Sequence, residues 1–211
     1  MAQEYSGAHE RANTVTHFLG FLFGLVTFPL LVRHILIEGG RPYDPIGAVV
    51  YGIGFLMVFG FSSLYHFHKE PKKKRLMKIW DHISIYFLIA GTYTPFLLHY
   101  ATPRVQWNML AVLWGLTALG TVFKVFFTGR FRLVSTGIYL AMGWLIILAP
   151  TSFRAALPDE QVQWIFIGGA FYTLGTIFYL IERIPFNHAI WHVFVLGGAV
   201  SHFIGIWKIF A

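Results

Sequence analysis

Histidine offers this chain its richest chemistry, and its placement is uneven. In "SSLYH" Ser62 and His66 stand four residues apart, in "NHAIWH" His188 and His192 do the same, and Asp81 lies next to His82. Residues four apart on a helix share a face about one turn from each other, so each spaced pair points one way. Three imidazoles, a carboxylate and a hydroxyl are the parts of a metal site with an acid–base group beside it. The 211 residues include no cysteine, so a metal here rests on His, Asp or Glu. Glu10, Asn13 and His17 in "ERANTVTH" have helical spacing too. They read as a capping and hydrogen-bonding shell that pins the N-terminal segment to its surroundings.

For these groups to meet, three distant stretches of chain must end at one depth, and composition says what those stretches are. The chain is 56% hydrophobic and only 12% charged, about half the charged share of an ordinary soluble domain, which excludes a water-soluble globule. Seven mostly apolar runs, 14–37, 44–67, 79–99, 105–127, 133–151, 162–181 and 188–210, each approach the length of about 20 residues that a membrane-crossing helix needs. The expectation is an all-α integral membrane protein: one seven-transmembrane-helix bundle covering 1–211. The first run has no basic segment before it and no cleavage site after it, and reads as a retained helix. No internal repeat supports a transporter plan. Gly20 and Gly24, and Gly197, Gly198 and Ala199, are expected to allow close helix packing. Pro29, Pro95 and Pro150 are expected to kink or end helices.

Orientation follows from the basic residues, which favour cytoplasmic loops. Eleven of the 16 fall on the side of the N-terminus, with "KKKR" at 72–75 contributing most. The N-terminus is thus expected in the cytoplasm, the C-terminus outside, and the protein in the plasma (inner) membrane as a multi-pass chain. The net charge of +7 needs no nucleic-acid partner; membrane lipids are the expected surroundings. On this topology Ser62, His66, Asp81, His82, His188, His192 and the Glu10 set all lie near the cytoplasmic face. His34 and His99 fall near the outer face. His202 is about 21 Å beyond His188 along a helix, and His68 faces away from His66. Ionisable groups inside membrane spans are costly enough to be functional by default.

Taken together, "SSLYH", Asp81, "HAIWH", the N-terminal "ERANTVTH" and "AGTYTPF" in the third span resemble the signature motifs of the haemolysin III proteins, relatives of the adiponectin and membrane progestin receptors. The resemblance covers nearly the whole chain and is closest to the compact bacterial members. It implies that His66, His188 and His192 hold Zn2+ and that Ser62 and Asp81 stand beside the zinc-bound water. It also implies ceramidase-like hydrolysis as a precedent.

That chemistry suits the residues. Three neutral imidazoles leave the full charge on a tetrahedral zinc and keep its fourth position open, and such a metal can lower the pKa of its water to about 7. Asp81 would then act as general base, with Ser62 as a hydrogen-bonding neighbour rather than a nucleophile. A site inside a helix bundle would select a lipid-like substrate, with an amide or ester as the electrophile. Two other readings stand beside the hydrolase: a receptor-like or membrane-homeostasis sensor with structural zinc, and a haemolytic membrane protein, which the family's name suggests but for which no amphipathic pore-forming segment is evident.

Overall fold

In the computed structural model, which describes residues 7–210, every regular element is helical. Residues 1–6 and 211 of the expected 1–211 unit lie outside the described residues. The order is α1 (Gly7–Glu38), α2 (Asp44–Phe67), α3 (Pro71–Tyr100), α4 (Pro103–Phe127), α5 (Arg132–Gly143), a 3₁₀ turn (Leu145–Leu148), α6 (Thr151–Arg154), α7 (Asp159–Leu180) and α8 (Asn187–Trp207). Five of these, α1, α2, α4, α7 and α8, are long and apolar enough to cross a membrane. Their outward faces are apolar: α1 exposes Val15, Leu19, Val26 and Leu30, and α4 exposes Leu119, Val122 and Phe126. The buried set includes Asn13, His17, Ser62, His66, Lys124 and His192. Apolar outside with polar groups inside is the distribution that hydrocarbon surroundings favour, because a polar group facing lipid has nothing to bond.

The helices differ from the apolar runs in three places that matter. α1 is already helical at Gly7, so Glu10 and Asn13 lie inside the helix and do not cap it. α3 begins at Pro71, so Lys72 to Arg75 occupy its first turns rather than a loop. The run 133–151 is not one helix. α5 has 12 residues, about 18 Å at 1.5 Å per residue. Tyr93 of α3 explains its end. The Tyr93 hydroxyl donates to the Gly143 carbonyl at 2.7 Å and accepts from the Ile146 amide at 2.9 Å, taking two groups that would otherwise continue the helical ladder. Pro150 then sits immediately before α6.

α2 and α3 form the closest backbone seam. A Cβ at Gly54 would fall 2.6 Å from the Phe87 carbonyl oxygen, and one at Gly47 would fall 2.9 Å from Pro95 Cα. Only glycine lets these helices approach so closely. The glycines singled out from the sequence do something else. Gly24 faces the side chains of Leu56 and Phe55, and Gly197 and Gly198 receive the rings of Phe171 and Tyr172. They are notches for side chains, not contacts between backbones. α4 meets the others through a single stripe, Gln106, Leu110, Leu113, Thr117, Gly120 and Lys124, which recurs every three or four residues as one helical face must.

Candidate metal centre

Chain direction alternates along these helices, and one end of the assembly collects the starts of α1, α3 and α8 with the ends of α2 and α4. His66 is in the last turn of α2, while His188 and His192 are in the first turns of α8. Among the described residues these three form the group able to share a metal: each offers a ring nitrogen, and the three atoms lie within 4.8 Å of one another. Ring centroids are 5.1 Å apart for His66 and His188, 5.2 Å for His66 and His192, and 4.5 Å for His188 and His192. His66 and His192 are buried and His188 is half-buried.

Neighbours from α1 set the tautomers of two of the rings. His66 Nδ1 donates to Glu10 Oε2 at 2.6 Å, and Lys74 Nζ donates to the other Glu10 oxygen at 2.5 Å. A carboxylate only accepts, so Nδ1 carries a proton, and in the neutral ring that leaves the lone pair on Nε2. The Asn13 side-chain amide lies 3.4 Å from the same Nδ1. His192 Nδ1 donates to the Asn13 backbone carbonyl at 3.2 Å, with Thr16 Oγ1 at 3.3 Å, and its Nε2 is likewise the lone-pair nitrogen. His17 packs against His192 with centroids 3.6 Å apart and against Phe59 at 4.9 Å. Imidazoles whose Nδ1–H is held by a carboxylate or carbonyl keep Nε2 for a metal, as ligands of a zinc-type site do. The residues present fit such an ion.

Ser62 and Asp81 line the same cavity as His188 and His192, an elongated space of about 410 Å³. Ser62 is buried. The Asp81 carboxylate, 16% exposed, has Oδ2 3.7 Å from His82 Nδ1 and lies within electrostatic reach of Lys78 and Lys124. It therefore stands on the cavity wall among cations, while Glu10, Asn13 and His17 are the residues packed directly on the three histidines. Outside the cluster, His34 stacks on Trp207 at 4.9 Å and His99 pairs with the buried Asp44 at 3.0 Å, while His202 lines the same cavity away from the three histidines, its Nε2 donating to the Ile165 carbonyl at 3.2 Å. Two participants were not evident from spacing. Lys74 braces Glu10 from α3, and Lys124 is buried at the cavity wall; both look like topology charges until the helices are packed.

Fold and site define an all-α membrane protein with a buried triple-histidine cluster able to hold a metal ion. The chain belongs to the haemolysin III family: the family model described as "Haemolysin-III related" matches residues 5–203. It is 42% identical to "Hemolysin-3 homolog" of Bacillus subtilis (strain 168) over 92% of this chain and 91% of that protein. It is 41% identical to "Hemolysin-3" of Bacillus cereus, over 92% and 88% respectively. A more distant likeness, 31% identical over 93% of this chain and 82% of the relative, is to "Monocyte to macrophage differentiation factor" of Homo sapiens. No solved structure matches the chain.

Proposed function

We propose that the chain crosses the plasma membrane seven times, with its N-terminus and the histidine cluster at the cytoplasmic face, and acts as a zinc-dependent hydrolase of a lipid amide or ester. The orientation rests on the basic residues gathered at the histidine end. A reporter fused at the α2–α3 turn near Lys69 should read as cytoplasmic and one at the C-terminus as extracytoplasmic; the reverse pattern would overturn it.

The observation that carries the enzymatic reading is the pair of rings held at Nδ1 beside a cavity of about 410 Å³. Glu10 and the Asn13 carbonyl hold His66 and His192 at Nδ1, the three histidines bring one ring nitrogen each within 4.8 Å of the others, and Ser62 and Asp81 line the cavity beside His188 and His192. His66, His188 and His192 would hold zinc, which when bound would supply Lewis-acid chemistry for acyl hydrolysis. Asp81 takes a proton from the attacking water at its carboxylate oxygen and returns it to the departing amine or alcohol. Ser62 Oγ offers a hydrogen bond to the polar head of the acyl group. Apolar walls at Ile89, Phe96 and Ile146 seat the chain and keep bulk water out.

The test is hydrolysis of a panel of lipid amides and esters by purified protein, before and after chelation. At least one substrate should be turned over, lost on chelation and regained with zinc. Activity indifferent to chelation, or a panel with no turnover by metal-loaded protein, would sink the hydrolase and leave the zinc as a clasp between α1, α2 and α8.

A further inference from the structure

Lys124 stands apart from every charge that merely sets topology. It lies on the buried stripe of α4 and is 1% exposed, whereas a topology-setting lysine has every reason to reach water. Its Nζ donates to the Ser135 hydroxyl at 2.5 Å and lies 5.6 Å from the Tyr139 ring centroid. Ser135 in turn donates to the Phe131 carbonyl. An ammonium has three protons to donate, and among the described residues Lys124 forms no ion pair. A buried charge held by a neutral hydroxyl is costly unless an opposite charge comes to it.

The cavity shows where that charge would enter. Lys78, Lys124, Arg130 and Arg132 line it at one end against Asp81 and Glu182. Arg132 is already bonded to Glu182. That leaves Lys78, Lys124 and Arg130 facing Asp81 alone, an excess of two positive charges. Lys78 Nζ reaches the α4–α5 turn, where Gly129 adopts φ +81° and a Cβ would stand 3.5 Å from it. The far end is lined by Phe96, Ile146 and Phe153; Lys78 and Phe96 are separated by about 27 Å along α3. One end is thus cationic and the other apolar, in a volume ordinary for a ligand.

We infer that this end of the cavity is a binding site for the phosphate head of a single-tailed amphiphile, held by Lys124 and Lys78 with the tail toward Phe96 and Phe153. Phosphate is favoured over carboxylate because a phosphate monoester brings a charge of about −1.5 to −2 near pH 7, matching the excess. Lysine ammoniums serve phosphate as point charges, whereas planar carboxylates are matched best by an arginine fork. The site goes beyond hydrolysis and does not depend on it. Binding can be read in metal-free or inactive protein.

The experiment measures binding of hexadecyl phosphate, palmitate and hexadecanol to purified protein in neutral phosphatidylcholine nanodiscs. Hexadecyl phosphate should bind at least about tenfold more tightly than hexadecanol, with palmitate between them. Lys124→Met should remove that preference and leave hexadecanol binding unchanged, Lys124→Arg should keep most of it, and His188→Ala should keep all of it. Millimolar inorganic phosphate should not displace the lipid. Equal binding of hexadecyl phosphate and hexadecanol by the wild type would overturn the site, and does so even should Lys124→Met fail to fold. A preference undiminished in folded Lys124→Met would overturn it as well. Palmitate binding more tightly than hexadecyl phosphate would overturn the choice of phosphate, and full competition by inorganic phosphate would overturn the amphiphile.

Discussion

Asp81→Asn should keep its metal and lose about 10²–10⁴-fold in turnover, the range a positioned acid–base group supplies. The replacement has nearly the same shape and removes the ability to hold a proton at the reacting centre. Asp81 lines the cavity with Ser62, His188 and His192 but packs beside Lys78, Lys124 and His82 rather than on the three histidines, so metal content should not depend on it. Turnover is read on whichever lipid amide or ester the panel identifies, with thermal unfolding and metal content measured on the same samples. Unchanged turnover would make the metal structural. Lost metal would place Asp81 among the ligands, fill the open coordination position and count against a hydrolase.

His188→Ala combined with His192→Ala should abolish metal binding and lower thermal stability markedly. A ligand that binds the folded chain alone stabilises it by about 4 kcal/mol when present at a thousand times its dissociation constant, and this site draws α2 and α8 together with α1 packed behind them. The same double change also leaves Asn13 and Thr16 without the ring nitrogen they meet. For comparison, His34→Ala alters a ring stacked on Trp207 at the far end and should leave the metal in place. A double variant as stable as wild type, in the presence and absence of chelator, would mean that no metal couples these helices.

The histidine cluster was legible because its evidence is local: "HAIWH" and "SSLYH" carry the four-residue spacing, and counting basic residues brings α2, α3 and α8 to one face. What supports the cluster was not legible in the same way. Glu10 reaches both His66 on α2 and Lys74 on α3, a meeting across more than fifty residues that no spacing encodes. Because α1 is helical from Gly7, Glu10 acts through its side chain on a neighbouring helix and not as a cap. The broken fifth run depends on the Tyr93 hydroxyl entering the end of α5, which apolar length alone cannot show. Lys124 was hidden for another reason. In lipid the outward face of a helix is as apolar as the core, so the buried stripe of α4 is marked by Gln106, Thr117, Gly120 and Lys124 rather than by hydrophobic periodicity. Polar and small residues recurring every three or four positions are the signal that would have found it.

The claim on which the enzymatic reading rests is that His66, His188 and His192 hold one metal ion. The most direct measurement is the metal content of purified wild type and of the His188→Ala, His192→Ala double variant, by elemental analysis at equal concentrations of folded protein. The account predicts close to one zinc per wild-type chain and almost none in the variant. Equal metal in the two proteins, or none in a wild type supplied with zinc, would contradict it.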